Sequence, residues 1–248
     1  MTTTTLMTAA TTNVVPVDHW DPADDAVGLV AVDLYRDIHK GIRSELLVLV
    51  ETAGQLDPHH RDDRLALVQH VLATHALLES HAHHEDAVIQ PVLERELPIL
   101  AERIERDHHE LDACIGRIAD RASTLEASAG DLRARTHRLY LDLARFTSEY
   151  FVHIDIEERV LMPALERAVG VDEVIGLNAA IVGSIPPDDL ARSLALMLPA
   201  MNVEERCELL GGIEAEAPPE ACAGVDALAR SVLRPDDYRT VARRLGRS

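Results

Sequence analysis

Residues 81–91 read HAHHEDAVIQP, and residues 153–163 read HIDIEERVLMP. In both stretches a histidine is followed four residues later by a glutamate and six residues after that by a proline, and the two stretches are offset by 72 residues. Residues four apart on an α-helix lie on the same face, roughly 6 Å apart along the axis. Each stretch therefore directs an imidazole and a carboxylate into the same space. The repeat also fits the duplication of a pair of helices.

Each pair can be extended along its helix in steps of three and four, and the resulting stripe is otherwise apolar. On the apolar stripe of the third predicted helix His108 lies between Ile104 and Leu111, and on that of the first His39 lies between Tyr35 and Ile42. Apolar stripes of this period face the interior of a bundle. The interior is thus predicted to receive four histidines and two glutamates, namely His39, His81, Glu85, His108, His153 and Glu157.

Buried imidazoles and carboxylates are costly unless they pair or bind metal. A lone core histidine is usually a hydrogen-bonded structural residue, but six such groups on facing stripes are satisfied together by a metal. Imidazole and carboxylate suit iron, manganese or zinc. Two carboxylates that can bridge favour a pair of ions. We therefore expect two iron ions with an oxo or hydroxo bridge and a position left open for an added ligand, with manganese or redox-silent zinc less favoured.

The composition predicts an all-α protein, because 47% of the residues are hydrophobic but only 3% are aromatic. Four long amphipathic segments with short connections predict an up-down-up-down four-helix bundle over residues 26–170. Its helices are expected at about Asp25–Gly54, from Arg61 to between Pro91 and Pro98, at Pro98–Ala127 and at Asp131–Gly170. Residues 1–25, which are rich in threonine and alanine, are expected to form a disordered leader. Residues 171–248 are expected to form a small helical C-terminal appendix, with a poorly patterned apolar start followed by three or four short helices.

The formal net charge of −19 argues against nucleic-acid and anionic membrane partners. No apolar run approaches the roughly 20 residues that span a bilayer, and the N-terminus lacks the charged start of a secretory signal. The three cysteines are far apart, which fits reduced thiols rather than a zinc site. These features predict a cytoplasmic protein. A homodimer contact is one role that the C-terminal appendix could have.

Taken in this order, four segments resemble the hemerythrin, or His-His-Glu cation-binding, family over about residues 30–170. They are DIHKGIR (37–43), HAHHEDAVIQP (81–91), DHHEL (107–111) and HIDIEERVLMP (153–163). The resemblance implies a di-iron site with one histidine from the first and third helices. It also implies a histidine and a bridging glutamate from each of the second and fourth.

The chain departs from the oxygen-carrying hemerythrins on the third helix, where those proteins have two histidines four residues apart. Here Asp112 lies four residues after His108, and Ile104 lies four residues before it. One iron is then more open, or Asp112, Glu105 or His109 takes the vacant position. On the second helix, His84 is the alternative ligand. A more open iron favours reaction with a ligand over reversible carriage.

Three further residues have two interpretations each. Tyr150, one turn before His153, either packs with a hydrogen-bonded hydroxyl or acts on metal-bound oxygen or in electron transfer. Asp86 and Glu158, which directly follow the two glutamates, either accept hydrogen bonds from ligand histidines or carry solvated charge.

The favoured function is a non-haem di-iron protein that binds or reacts with dioxygen, peroxide or nitric oxide; any enzyme activity would be that of an oxidoreductase. The alternative is a sensor of oxygen, iron or redox state, or an interaction module, that signals through amphipathic segments of the appendix such as residues 189–197 and 203–213. A ferritin-like oxidase is disfavoured because it needs Glu-x-x-His on two helices, and Tyr150 lies three residues before His153.

Overall fold

The computed structural model describes residues 30–127 and 130–247, and within these ranges the chain forms helices and no strands. The all-α prediction is thereby confirmed. The helices of the first part are α1 (Arg36–Gln55), α2 (Arg61–Val88), α3 (Gln90–Glu96), α4 (Pro98–Ser123), α5 (Leu132–Ile156) and α6 (Met162–Val169). Those of the second part are α7 (Val171–Ser184), α8 (Pro187–Ala200), α9 (Val203–Glu216), α10 (Pro219–Val232) and α11 (Pro235–Arg244).

The four long helices form the bundle. Around its circumference α1 lies beside α2 and α5, and α4 lies beside the same two helices. Short connections between successive long helices make neighbours antiparallel. The fourth predicted helix begins as expected, because the Asp131 side chain accepts a hydrogen bond from the N–H of Ala134 at 3.0 Å. It ends as expected at Gly170, which has a φ of 85°.

The first helix starts later than the predicted Asp25. Residues 30–35 are not helical, and α1 begins at Arg36. The physical reason is an acidic cap, since Asp33 Oδ1 accepts hydrogen bonds from the N–H groups of Tyr35 and Arg36, both at 3.0 Å. The Glu166 carboxylate secures the preceding segment by accepting from the backbone of Ala31. The predicted disordered leader lies outside the described residues.

Both prolines of the repeat interrupt a long helix at the same place. Pro91 is the second residue of α3 and follows a break at Ile89, whereas Pro163 is the second residue of α6 and follows a π-helical turn at Glu157–Leu161. Proline has no N–H to donate, and its ring clashes with the carbonyl four residues earlier, so the preceding turn must open or widen. The wider turn begins at the glutamate of the second stretch.

Two apolar clusters form the bundle core, and the predicted ligands lie between them. The larger cluster contains Ile42, Leu78, Ile115 and Tyr150, which are one or two turns from the histidines on one side. The second contains Tyr35, Ile89, Ile104 and Leu161 on the other side. The site is therefore enclosed by apolar layers above and below.

The second part of the chain packs against the bundle mainly through its first two helices. The segment predicted to be poorly patterned is a helix, α7, which contacts α2 and α6, and α8 contacts α1. The contact of α8 is close, because a Cβ on Gly41 would lie 2.9 Å from Leu196 Cγ. Helices α9–α11 join α8 around a third small core of Leu198, Leu210, Ala229, Leu233 and Val241. None of the described helices is both long and apolar enough to cross a membrane.

Candidate metal centre

The structure brings all six predicted ligand residues together in the middle of the bundle. Helices α1 and α4 each contribute one histidine, α2 contributes a histidine and a glutamate, and α5 contributes a histidine with its glutamate at the start of the π-helical turn. The side chains of His39 and Glu157 have no exposed surface, and none of the other four is more than 8% exposed.

The six residues divide into two groups of three. His39, His81 and Glu85 form the first triad, and His108, His153 and Glu157 form the second; within each triad the potential ligand atoms lie within 4.8 Å of one another. In the first triad His81 Nε2 lies 3.1 Å from Glu85 Oε1. In the second triad His153 Nε2 lies 3.4 Å from Glu157 Oε1. Each triad has the size and ligand types of a site for one cation.

Each glutamate reaches both triads. Glu85 directs Oε1 toward His81 of its own triad, and its Oε2 lies 3.3 Å from His108 Nε2 of the other. Glu157 does the converse, since its Oε1 is near His153 and its Oε2 lies 3.4 Å from His39 Nε2. A carboxylate with one oxygen at each of two sites has the arrangement of a bridging ligand. Two carboxylates shared between the triads indicate a paired metal site more specifically than two separate ligand clusters would.

Several buried polar atoms of the centre lack hydrogen bonds, although they lie close together. Within the described residues, His108 Nε2, Glu85 Oε2 and both carboxylate oxygens of Glu157 have no hydrogen-bond partner. An unsatisfied buried polar atom costs roughly 1–3 kcal/mol, and more when the group is charged. Cations placed among these atoms would satisfy them together, so the residues present fit a metal pair.

The titration behaviour shows that the ionisable groups of the two triads interact strongly. Burial, and then the nearby Glu85 carboxylate, raise the pKa of Glu157 to about 7. Burial opposes charging of His108, but the hydrogen bond to Asp86 and the contacts with Glu157 and Glu85 outweigh it and raise the pKa of His108 to about 12. Burial lowers the pKa of His153 to about 3, so that its imidazole stays neutral and can bind metal. His108 therefore holds a proton beside the two carboxylates, and a cation bound there would replace that proton.

One histidine in each triad is backed by a carboxylate. His39 Nδ1 lies 3.1 Å from Glu158 Oε1, and His108 Nδ1 lies 2.8 Å from Asp86 Oδ1. Because an ionised carboxylate only accepts, each imidazole donates from Nδ1 and directs Nε2 into the centre, where a cation that binds this nitrogen would take the place of any proton on it. Of the two roles that the sequence left open for Asp86 and Glu158, the structure therefore supports hydrogen bonding to the histidines. Their position directly after the glutamates was the only sequence signal.

The other candidate ligands lie outside the centre. His84 Nδ1 is 3.0 Å from the Ser184 hydroxyl on α7. Glu105, His109 and Asp112 are exposed, and Asp112 faces His75 at 3.9 Å. These four residues do not complete either triad in this structure.

A cavity of about 390 Å³ between α2 and α4 reaches the second triad. Its buried floor includes His108, Tyr150, Phe146 and Ile115, and its outer part is lined by exposed polar side chains. Tyr150 packs with its ring 5.7 Å from that of His153. Burial, followed by the charges of Glu85 and Glu157, raises the pKa of Tyr150 well above its usual value, so its hydroxyl keeps its proton. Tyr150 therefore lies where the cavity meets the centre.

Comparison with known proteins agrees with this geometry. The model of the family described as "Hemerythrin HHE cation binding domain" matches residues 30–172, which include α1–α6 and all six residues of the two triads. Comparisons with curated proteins and with solved structures give no match. The matched range is more than half of the chain, and the chain therefore belongs to the hemerythrin HHE cation-binding family.

Proposed function

We propose that the two triads hold a pair of iron ions and that the protein binds or reacts with small oxidants, namely dioxygen, peroxide or nitric oxide. The observation that supports this most directly is that Glu85 and Glu157 each present one oxygen to each triad. Manganese and zinc would fit the same donors, but iron supplies one-electron redox chemistry and binds these small ligands.

The protein's own residues would tune this chemistry in three ways. Glu158 and Asp86 hold His39 and His108 with their Nε2 atoms directed inward. The two apolar clusters exclude water from above and below the centre, which strengthens electrostatic interactions there. Tyr150, at the floor of the cavity, is placed to donate a hydrogen bond from its protonated hydroxyl to a small ligand that enters by this route.

Mixing the iron-loaded protein with hydrogen peroxide, dioxygen or nitric oxide tests the proposal. We expect at least one of them to change the optical absorption bands of the iron, and we expect Glu157→Ala to remove that change. The matched control is Glu149→Ala on α5, because Glu149 is exposed and pairs with Arg145 on the surface. Absorption bands that respond to none of the three oxidants would contradict the proposal.

The second candidate function is a sensor that signals through the C-terminal helices, and the contact between α8 and α1 favours it. Gly41, two residues after His39, lies against Leu196, and Lys40 forms an ion pair with Glu205 of α9. A change at His39 would thus reach α8 and α9 through one helix. Hydrogen exchange of the full chain with and without iron tests this, and equal protection of α8 in both states would contradict it. A homodimer contact made by these helices stays a prediction.

A further inference from the structure

The cavity between α2 and α4 has a buried end and a charged end. Its outer part carries the carboxylates of Glu79, Asp86, Glu105 and Asp112, which we call the acidic rim. Two imidazoles, those of His83 and His109, are also present there, but no lysine or arginine is among the described residues that line the cavity. The rim therefore has a net negative charge near neutral pH.

The buried end of the cavity contains a ring nitrogen that makes no hydrogen bond. His108 is 7% exposed and lines the cavity, and its Nε2 has no hydrogen-bond partner within the described part of the chain. The other five residues of the two triads do not line the cavity. The route from the acidic rim thus leads to the second triad, which contains His108.

Asp112 belongs to this rim. It lies four residues after His108 on α4, is exposed, and faces His75 rather than the centre. On this side of the site the chain has a cavity with a negatively charged mouth. A mouth lined by charge of one sign raises the local concentration of oppositely charged ligands, with association rates changed by roughly 10- to 1,000-fold in strong cases.

We propose that this cavity is the entry route to the metal centre and that the acidic rim makes it selective by charge. Cations such as ferrous ion are attracted, neutral molecules such as nitric oxide pass without electrostatic preference, and small anions are slowed. This inference depends on the proposed function for the existence of the iron site, and it adds the route and the charge class of the ligands that use it.

The test neutralises three rim residues in the full chain with Glu79→Gln, Glu105→Gln and Asp112→Asn together. Asp86 is left unchanged because it bonds to His108. The matched control makes the same change in net charge at exposed carboxylates outside the cavity, with Glu51→Gln, Glu94→Gln and Glu220→Gln. Three rates are measured: azide binding to the oxidised iron-loaded protein, nitric oxide binding to the reduced protein, and ferrous ion uptake by chain stripped of metal whose helical circular dichroism is retained.

Neutralising the rim should speed azide binding by about 3- to 10-fold and slow ferrous ion uptake by a similar factor, while nitric oxide binding changes by less than about twofold. Salt at about 0.5 M should remove most of these differences, because the screening length falls to a few ångströms. The control set should have much smaller effects. Equal effects of the two sets of substitutions, or no effect of either, would overturn the proposal.

A second variant tests the route by filling part of the cavity with a larger side chain. Leu111 lines the cavity, and Leu111→Trp should narrow it and slow the entry of all three probes at least about fivefold. Unchanged rates in this variant would also overturn the proposal, even if the iron-loaded protein still reacts with peroxide. In that case the proposed function would stand. A chain that takes up no ferrous ion would overturn both.

Discussion

His39 Nδ1 lies 3.1 Å from Glu158 Oε1, and Arg43 binds the same carboxylate through both terminal guanidinium nitrogens, at 2.6 and 3.0 Å. The chain thus connects an imidazole of the centre to a charged side chain on the same α1 helix through one carboxylate of the π-helical turn. Burial opposes ionisation of Glu158, but the hydrogen bonds from His39 and Arg43 outweigh it and lower the pKa of Glu158 to about 2. Glu158 is therefore ionised at neutral pH and fixes the orientation of His39.

The first prediction concerns this pair. Glu158→Ala removes the acceptor that orients His39, and we expect the affinity for ferrous ion to fall by about 10- to 100-fold, as for other carboxylates that support ligand histidines. Isothermal titration calorimetry with ferrous ion under anaerobic conditions measures this affinity. The control is Asp155→Ala on α5, whose carboxylate pairs with exposed Arg159. Equal affinities of Glu158→Ala and wild type would contradict the role given to Glu158.

The second prediction concerns the corresponding pair in the other triad. Asp86→Asn keeps an oxygen near His108 Nδ1 but removes the charge, and the Asp86 side chain is 48% exposed whereas that of Glu158 is 18% exposed. Solvent screens the more exposed pair, so we expect a smaller loss of ferrous ion affinity, about 3- to 10-fold. The same titration measures it, and a loss larger than that of Glu158→Ala would count against the explanation by exposure.

The ligand stripes could be predicted from sequence because the helical period fixes angles within one helix. His81 and Glu85, or His153 and Glu157, share a face whatever the neighbouring helices do. The family and the all-α bundle were predicted on this basis and are confirmed. The metal role of the six residues stays a prediction.

Relations between distant segments could not be predicted in the same way. Glu158 meets His39 across 119 residues, and His84 meets Ser184 across 100, so each pair depends on how two helices are rotated in the bundle. Helix α7 was missed because its apolar residues lie on several sides and leave no clear helical period. The late start of α1 depends on a turn at Asp33 that competes with the helical pattern upstream.

The third prediction concerns pH and stability away from the centre. His70 donates a hydrogen bond to Glu45 Oε1 at 2.7 Å, and this bond holds the pKa of Glu45 below its usual value. Because the folded pKa lies below the unfolded value of about 4.3, the stabilisation is full above that pH and is lost as pH falls through the folded pKa. We expect Glu45→Gln to lower the free energy of unfolding by about 1 kcal/mol at about pH 5.5, and by less at about pH 3.

Urea unfolding at a series of pH values measures this difference, with Glu51→Gln on the same helix as the exposed control. A difference between wild type and Glu45→Gln that stays constant down to about pH 3 would show that the charge of Glu45 does not contribute.

The fourth prediction concerns the contact between α1 and α8. A methyl group on Gly41 would lie 2.9 Å from Leu196 Cγ and 3.3 Å from the Leu196 carbonyl carbon, so Gly41→Ala should lower the free energy of unfolding by about 1–3 kcal/mol despite the better helix propensity of alanine. Leu196→Ala makes space for the methyl group. The double variant should therefore be more stable than the sum of the two single effects implies, and strict additivity in this double-mutant cycle would contradict the close approach.

The central claim is that Glu85 and Glu157 join two cation sites into one centre. The most direct measurement is an anaerobic titration of ferrous ion into the full chain, with metal content determined after gel filtration, for wild type and for Glu85→Ala. We expect two ions per wild-type chain and only one in Glu85→Ala. This variant removes Oε1 from beside His81 of the first triad and Oε2 from beside His108 of the second. A wild-type chain that retains one ion or none, or a Glu85→Ala variant that retains two with unchanged affinity, would contradict the account.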